Sequence, residues 1–190
     1  MATVGWDAAT WLNPPPDARV DGDDLLVTTG AETDFWRTTG YGYVRDSGHA
    51  LLADFPVGSV VEVGFVADLT ELYDQAGVLV RVDPSVWLKA GTELTDGMPH
   101  VSTVVTHGMS DWSQAAVPEW AGRPVTMRVS RVGDALTVLA KADDEPWRQI
   151  RLAPLSPDAG ARAGPYCCSP VGAGLTVQFT RFTIQPADNT

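Results

Sequence analysis

Apolar side chains recur at every second position through much of this chain, and a period of two is typical of β-strands that bury one face. The clearest case places Val125, Met127 and Val129 on one face, and a Gly133-Asp134 turn leads into a second strand of the same kind. No stretch keeps the 3.6-residue period of an α-helix. We therefore predict an all-β fold. Further strands are predicted over residues 25–29, 51–55, 60–66, 101–107, 148–152 and 164–169.

The last strand changes parity part-way along its length. Val177 and Phe179 point to one face, whereas Phe182 and Ile184 have the opposite parity. One extra residue in a strand of an antiparallel pair produces such a change, so we predict a β-bulge near Thr180-Arg181.

Turns and loops are predicted from glycine, proline and short polar side chains. Residues 46–49 are expected to form a turn that leaves His49 at the surface, and 154–164 form the longest expected loop. Residues 108–113 combine Asp111 and Trp112 with small polar groups, a composition that predicts a loop at the rim of a ligand site.

The stretch from 72 to 97 predicts a central hairpin. A turn over 83–85 sets the register of its two strands. The predicted cross-strand pairs are Val82 with Val86, Arg81 with Trp87, and Leu79 with Lys89. This register sorts the side chains of both strands into two faces of different chemistry.

One face of this hairpin is apolar and the other is polar. The apolar face carries Ala76, Val78, Val80, Val82, Val86, Leu88 and Ala90. The polar face carries Gln75, Arg81, Trp87 and Lys89, with Tyr73, Asp74 and Glu93 near its ends. Thr, Ser and Lys usually fill a solvated face, so an Arg beside a Trp indicates a ligand-binding surface. An open polar face also predicts that loss of the Arg81 side chain changes stability little.

A second group of candidates precedes the hairpin. Asp34, Trp36 and Arg37 lie shortly before the aromatic pair Tyr41 and Tyr43. These side chains could face a ligand. Equally, Trp36 could shield the edge of the core with Arg37 stacked on it, and both interpretations stay open at this stage.

Composition and charge limit the classes of partner. The chain has 190 residues, which suits a single β-sandwich domain over 1–190 with a large core. Its formal net charge is −11, from 24 acidic and 13 basic residues, and this disfavours nucleic acid and anionic membranes as partners. We find no apolar run of about 20 residues and no signal-peptide pattern at the N-terminus, so we expect a cytoplasmic protein.

Two short segments predict packing details. The N-terminal segment 1–24 carries Trp6 and Trp11 ahead of a proline run, and we expect it to pack on the domain through these aromatic rings. Cys167 and Cys168 are adjacent, and neighbours in a strand point to opposite faces, so we expect two free thiols.

The sequence carries no motif for a cofactor or a metal, and we expect neither. No Cys or His pair has zinc spacing, and no glycine run has the pattern of a phosphate-binding loop. Glycoside hydrolysis needs two carboxylates, about 5–5.5 Å apart for retention and about 6.5–9.5 Å for inversion. The candidate carboxylates are Glu71, Asp74, Glu93, Asp96 and Asp111. The E-x-D-x-x-E pattern of β-sandwich glucanases is missing, which favours binding over catalysis.

Several segments taken together resemble a known family. They are DFWR at 34–37, YDQAGVLVR at 73–81, WLKAGTE at 87–93, DG at 96–97, SDWS at 110–113 and CSP at 168–170. The combination resembles the uncharacterised domain family named after a fungal "regulation of enolase" protein, roughly from Trp11 to Ile184. That family is placed in the concanavalin A-like lectin/glucanase superfamily. The resemblance therefore implies a jelly-roll β-sandwich of two antiparallel sheets, one of them concave.

The leading hypothesis is a domain that binds a carbohydrate or another small polar ligand on the concave sheet, where paired cations would favour an acidic group. The candidate ligand-binding residues are Trp36, Arg37, Tyr73, Gln75, Arg81, Trp87, Lys89, Glu93, Asp111 and Trp112. One alternative is a glycan-active enzyme that uses Glu93 or Asp111 as acid or base. Another is a regulatory protein-interaction module, which the name of the family suggests.

Overall fold

The computed structural model describes residues 4–187, and these residues form β-strands with two single turns of 3-10 helix, Trp6–Ala8 and Pro118–Trp120. The strands are β1 (Thr10–Leu12), β2 (Asp17–Asp21), β3 (Asp24–Thr28), β4 (Phe35–Arg37), β5 (Val44–Asp46), β6 (His49–Asp54), β7 (Ser59–Ala67), β8 (Gln75–Asp83), β9 (Val86–Thr95), β10 (Met98–His107), β11 (Met109–Ala116), β12 (Val125–Val132), β13 (Ala135–Ala142), β14 (Arg148–Pro154), β15 (Arg162–Cys168) and β16 (Thr176–Pro186). No helix in this described range is long and apolar enough to cross a membrane. The all-β prediction is confirmed.

Fourteen of the strands form two antiparallel sheets of seven strands each. The front sheet has the order β1-β6-β15-β8-β9-β10-β11, and the back sheet has the order β14-β13-β12-β7-β16-β3-β2. β4 and β5 pair only with each other and form a separate short hairpin. β8 is the central strand of the front sheet and β9 lies beside it, and these two strands are the hairpin that the sequence predicts.

The main hydrophobic core lies between the two sheets. Val125, Met127 and Val129 of β12 point into it and are at most 3% exposed, as their alternation predicts. The apolar face of the β8–β9 hairpin meets them from the front sheet, with Val78 and Val80 among its buried members. Full burial of each such side chain contributes roughly 1.5–3 kcal/mol, so this core accounts for the two-layer arrangement.

The register of the central hairpin is confirmed except at its turn. Arg81 pairs with Trp87 and Leu79 pairs with Lys89. The predicted Val82–Val86 pair is wrong, because Asp83 pairs with Val86 and Val82 becomes the extra residue of a bulge. The side chain of Asp83 causes this shift. Its Oδ1 accepts hydrogen bonds from the backbone N–H of Ser85 at 2.6 Å and of Val86 at 2.9 Å, so that only Pro84 and Ser85 remain in the turn.

The loop predicted over residues 108–113 is wrong, since β11 begins at Met109. Gly108 has a φ of +78°, a conformation that glycine adopts without strain, and the chain reverses over this one residue. His107 then pairs with Met109, and Trp112 pairs with Val104. The polar residues that suggested a loop are those of an edge strand with one solvated face. By contrast, the predicted bulge in β16 is confirmed by a register shift between Phe179 and Arg181.

His49, predicted at the surface, is buried in β6. Its Nε2 accepts a hydrogen bond from the backbone N–H of Gly30 at 3.0 Å, and its Nδ1 lies 2.7 Å from the carbonyl oxygen of Asn13. The ring therefore bridges two connecting segments, which explains why a histidine next to a turn is inside.

The N-terminal segment contacts the back sheet within the described residues. The Trp6 ring stacks on Phe182 with centroids 6.1 Å apart, and its Nε1 donates a hydrogen bond to the carbonyl oxygen of Asp23. Trp11, in β1, packs against the main core. Residues 1–3 of the predicted segment lie outside the described residues.

A second hydrophobic cluster lies on the outer face of the front sheet, beneath a segment that we call the flap, residues 34–46. The flap contains β4, β5 and the turn between them. Phe35 of the flap is fully buried, with its ring centroid 6.2 Å from that of Trp87 and 6.4 Å from that of Tyr166. The polar residues on this face predict a surface that is open to solvent. The structure corrects that expectation, because the flap covers its central part.

The two cysteines belong to different clusters. Cys167 faces the core between the sheets, and Cys168 faces the cluster under the flap. Both are buried free thiols, as predicted, and burial raises the pKa of each above the ordinary thiol value. Their opposite orientation follows from the alternation of side chains along β15.

Candidate functional site

A pocket opens where the flap meets the outer face of the front sheet. It encloses about 440 Å³ of space, including its solvent-open mouth. The lining residues are Asp34, Trp36, Tyr41, Tyr43, Tyr73, Gln75, Lys89, Glu93, Val104, Trp112 and Pro170. Aromatic rings form most of the wall, and four polar side chains form the floor. The floor residues come from the sheet and from Asp34, at the start of the flap.

A buried ion pair forms one side of the floor. Lys89 Nζ donates a hydrogen bond to Asp34 Oδ1 at 2.8 Å, and both residues are at most 6% exposed. The same Asp34 oxygen accepts a hydrogen bond from the backbone N–H of Phe35. Burial favours the neutral form of Lys89, but the Asp34 carboxylate, with Cys168 and Glu93 nearby, outweighs it and raises the pKa of Lys89. This pair joins the flap to β9.

Glu93 forms the other side of the floor. Its Oε2 accepts a hydrogen bond from Ser102 Oγ at 2.9 Å, and Ser102 Oγ accepts one from Trp112 Nε1 at 2.9 Å. Glu93 is 6% exposed, and burial raises the pKa of its carboxyl group although Lys89 and Ser102 act in the opposite direction. No described residue donates a hydrogen bond to its Oε1. Glu93 is thus a buried acid with one oxygen available to the pocket.

Gln75 lies directly opposite Glu93 in the sheet register. Its Nε2 donates to the carbonyl oxygen of Tyr73 at 3.1 Å, and Tyr166 Oη donates to its Oε1 at 3.4 Å. Tyr73 itself has a φ of +67°, an uncommon backbone conformation for a residue other than glycine. Residues with such strained backbone conformations occur often at binding sites. Here the residue with this conformation is one whose ring lines the pocket.

Two facing glycines keep the floor open. Gly77 pairs with Gly91 on the same outer face, in the row between the Gln75–Glu93 pair and the Leu79–Lys89 pair. A Cβ atom at Gly77 would lie 2.1 Å from the carbonyl oxygen of Ala90, so a side chain is sterically excluded there. Consequently no side chain stands between Glu93 and Lys89.

The wall consists of aromatic rings set edge to face. Trp112 is nearly perpendicular to Trp36, at 87°, with centroids 6.2 Å apart, and it makes a similar contact with Tyr73 at 6.3 Å. Tyr41 contacts the Trp36 ring at 5.4 Å and stacks on Tyr43 at 5.7 Å. Such pairs stabilise one another by about 0.5–1.5 kcal/mol beyond their burial, which favours a preformed wall.

Four predicted site residues do not line the pocket, and three of them hold the flap in place. Arg81 binds Asp46 at the end of β5 through two hydrogen bonds, of 2.7 and 2.8 Å. Arg37 donates from its backbone N–H to Ser110 Oγ and from its Nε to the carbonyl oxygen of Gly108. Trp87 packs beneath Phe35.

Asp111 is the fourth of these residues, and it lies on the outside of β11. It pairs with Arg151 at 2.7 Å and is largely exposed. The structure therefore brings six of the ten predicted residues together in one pocket: Trp36, Tyr73, Gln75, Lys89, Glu93 and Trp112.

Comparison with known proteins identifies the family. The family described as "protein of unknown function (DUF1349)" matches residues 11–187. The chain belongs to this family. It is also 38% identical to "regulation of enolase protein 1" of Saccharomyces cerevisiae over 175 residues, which cover 92% of this chain and 88% of the yeast protein. The family resemblance seen in the sequence is confirmed.

Solved structures confirm the jelly-roll β-sandwich. A crystal structure of a functionally unknown protein from Saccharomyces cerevisiae superposes with a TM-score of 0.90 and 36% identity, covering 95% of this chain and 97% of that one. A xylan β-1,4-xylosidase of Bacillus halodurans superposes with a TM-score of 0.66 at 11% identity, covering 89% of this chain and 38% of that one. At that identity the likeness to the xylosidase concerns the fold alone.

Several lining residues of this DUF1349 family member are not among the predicted site residues. Asp34 stood among the possible ligand contacts, but its ion pair with Lys89 was not foreseen. In the sequence Tyr41 and Tyr43 stand out only as an aromatic pair, and this density of aromatic residues is the signal that could place them in the wall. Pro170 and Val104 carried no signal of their own.

We expect Arg81 and Asp46 to stabilise the fold jointly, contrary to the expectation from an open face. Arg81 is 9% exposed and its partner is a third exposed, so loss of either leaves a partly desolvated charge. Arg81→Ala and Asp46→Ala should each cost about 1–3 kcal/mol in denaturant melts, and the double-mutant cycle should give a coupling of at least about 1 kcal/mol. Arg19→Ala, at an exposed arginine, is the control. Zero coupling would mean that the flap is held by other contacts.

We also expect a pH-dependent stability that depends on Glu93. A carboxyl group whose pKa is raised by folding binds more protons in the native state, so its contribution to stability falls as pH rises above its ordinary value of 4.5. The amide side chain of the Glu93→Gln variant does not titrate, so the variant lacks this pH dependence of stability. Urea melts of both proteins should therefore show wild type losing stability relative to the variant as pH rises from 4.5, until the folded-state pKa is passed. A wild type that gains relative stability over that interval would contradict the burial effect.

Proposed function

We propose that this protein binds a small polar ligand of the carbohydrate type in the pocket beneath the flap, and that it acts as a binding domain. The observation that carries the proposal is the combination of an aromatic wall with a buried polar floor in a single preformed pocket. A sugar ring has apolar faces that stack on aromatic rings and hydroxyl groups that need directed partners. Trp36 and Trp112 offer rings for stacking, and Glu93, Gln75 and Lys89 offer hydrogen-bonding partners for the hydroxyl groups.

The size of the pocket supports a ligand with one ring. Its volume of about 440 Å³, which includes the solvent-open mouth, lies near the lower end of the range of about 300–1,000 Å³ for small-molecule sites. The enclosed part therefore suits a group of several heavy atoms, with the rest of the ligand in the solvent-open mouth. A long glycan laid across an open sheet has no support, since the flap covers the centre of that face.

The contacts of the cationic side chains do not support the acidic ligand that the sequence favours. Arg81 is engaged by Asp46, and Arg37 donates to backbone carbonyls outside the pocket. Lys89, the one cationic side chain among the described lining residues, is paired with Asp34. The charges of the pocket therefore favour a ligand without an acidic group.

The contacts of the carboxylates favour binding over glycan cleavage. Of the five carboxylates considered from the sequence, Glu93 alone lines the pocket. Asp74 is buried and accepts hydrogen bonds from Ser169 and two backbone N–H groups, and Asp111 pairs with Arg151. The second carboxylate of the pocket, Asp34, is neutralised by Lys89 at 2.8 Å, which leaves no free partner for Glu93 in an acid–base pair.

The expected class of partner and the expected location of the protein are also part of the proposal. The net charge of −11 supports a small molecule as the partner and disfavours nucleic acid and anionic membrane surfaces. A cytoplasmic location is also part of this proposal. A regulatory interaction is suggested by the name of the yeast relative, but the pocket offers a chemically more specific basis for function.

Replacement of Trp112 tests the pocket. A panel of monosaccharides, screened by thermal shift and followed by calorimetry, should contain ligands that raise the melting temperature, since a ligand at 100 times its Kd adds about 2.7 kcal/mol of stability. Trp112→Ala should weaken that binding by about tenfold or more, through loss of one stacking ring.

The control is Trp147→Ala. Trp147 is a half-buried ring on the back-sheet side, where it contacts Arg128 and Lys141. This variant should bind as wild type does. Equal loss of affinity in both variants, or full affinity in Trp112→Ala, would place the ligand elsewhere, and a panel with no binding sugar would refute the proposed function.

A further inference from the structure

We infer that the pocket selects a ligand carrying a protonated amine, with an amino sugar as the chemical class that fits best. This inference rests on the proposed function and narrows its ligand. The groups that carry it are the Glu93 carboxylate on the floor and the ring faces of Trp36, Tyr41, Tyr73 and Trp112 around it. A carboxylate and aromatic faces together are the groups that recognise an ammonium ion in proteins.

The floor carries three ionisable side chains, and two of them form an ion pair with each other. Asp34 and Lys89 neutralise each other at 2.8 Å, and this pair already serves to join the flap to the sheet. Glu93 is the remaining charged group among the described lining residues. Lys89 and His100, which lies opposite Glu93 in the sheet, act on Glu93 electrostatically, but neither donates a hydrogen bond to it. A cation in the pocket would supply a direct partner for this buried carboxylate.

The geometry of Glu93 leaves a position for such a cation. Its Oε2 is occupied by the hydroxyl group of Ser102, and its Oε1 accepts no hydrogen bond from any described residue. The side chain is 6% exposed and nevertheless lines the pocket. The facing glycines Gly77 and Gly91 remove any side chain that would stand beside it on the floor.

Most of the wall rings have no cation of the chain on their faces. Within residues 4–187, Arg45 lies 5.1 Å from the centroid of Tyr43, and the other cation–ring contacts involve Phe35, Trp120 and Trp147. Trp36, Tyr41, Tyr73 and Trp112 are not among these contacts. Tyr41 has one face stacked on Tyr43. The ring faces that remain uncovered can accept an external cation, and rings set perpendicular to one another can surround it on several sides.

The net negative charge of the whole protein also favours a cationic ligand. With 24 acidic residues against 13 basic ones, the field outside the pocket attracts cations and repels anions. The distant charges are screened by salt, whereas the Glu93 carboxylate is buried and screened much less. The preference for an amine should therefore persist at physiological ionic strength.

Calorimetry with matched sugars tests this inference. The probes are glucose, glucosamine, N-acetylglucosamine and glucuronate, with the four corresponding galactose derivatives, at a pH at which the free amines are protonated. We expect an amino sugar to bind at least about tenfold more tightly than its neutral and N-acetyl counterparts. A hydrogen bond between an ammonium group and a carboxylate is stronger than one between neutral groups. The uronates should bind most weakly.

Glu93→Gln identifies the group responsible. This variant keeps the shape and an acceptor for Ser102 but removes the charge, so it should reduce the ratio of amino-sugar affinity to neutral-sugar affinity to about threefold or less. Glu119→Gln removes one charge at an exposed residue outside the pocket and should leave the preference intact. Circular dichroism and melting temperatures verify that both variants are folded.

The outcomes separate the two proposals. Equal binding of neutral and amino sugars, tightest binding of a uronate, or an amine preference that survives Glu93→Gln would overturn the inference and leave the proposed function standing. Binding of no sugar in any class would overturn the proposed function, and the inference with it.

Discussion

Two ion pairs hold the flap against the outer face of the front sheet, and the pocket depends on both. Lys89 pairs with Asp34 at the start of the flap, and Arg81 pairs with Asp46 at its end. Covering a sheet face that carries an Arg and a Lys removes their charges from water, which is unfavourable unless each finds a partner. The flap supplies both partners together with Phe35, which fills the space over Trp87 and Tyr166. The polar face of the central hairpin thereby becomes a second core.

This arrangement also determines the chemistry of the pocket. Lys89 and Arg81 hold the flap and are not left for a ligand. The amide of Gln75 already bonds Tyr73 and Tyr166, so the Glu93 carboxylate is the polar group that faces the pocket with an unused oxygen. The flap brings Trp36, Tyr41 and Tyr43 to the mouth, where they meet Tyr73 and Trp112 of the front-sheet side. A face that suggested an acidic ligand in the sequence thus becomes an aromatic pocket with a carboxylate in its floor.

The sequence was informative where one face of a long strand is buried, because burial on one side produces alternation. For that reason the pairing of Arg81 with Trp87, and the bulge before Arg181, could be predicted. The flap could not, since β4 and β5 have three residues each, too few to show a period. The partners of Lys89 and Arg81 are 55 and 35 residues away, and the local pattern is the same for an open polar face and a covered one. Among the missed wall residues, Tyr41 and Tyr43 were visible only as an aromatic pair.

The central claim is that a small polar ligand enters the pocket between the flap and the front sheet, and the indole N–H resonances report on it most directly. The protein has seven tryptophans. In the pocket, Nε1 of Trp36 donates to the carbonyl oxygen of Thr39, and Nε1 of Trp112 donates to Ser102 Oγ. In ¹⁵N-tryptophan-labelled protein titrated with glucosamine and with glucose, we predict saturable shifts at Trp36 and Trp112 and unchanged resonances at Trp6 and Trp147. Shifts centred on Trp6 or Trp147, or no saturable shift with either sugar, would contradict the account.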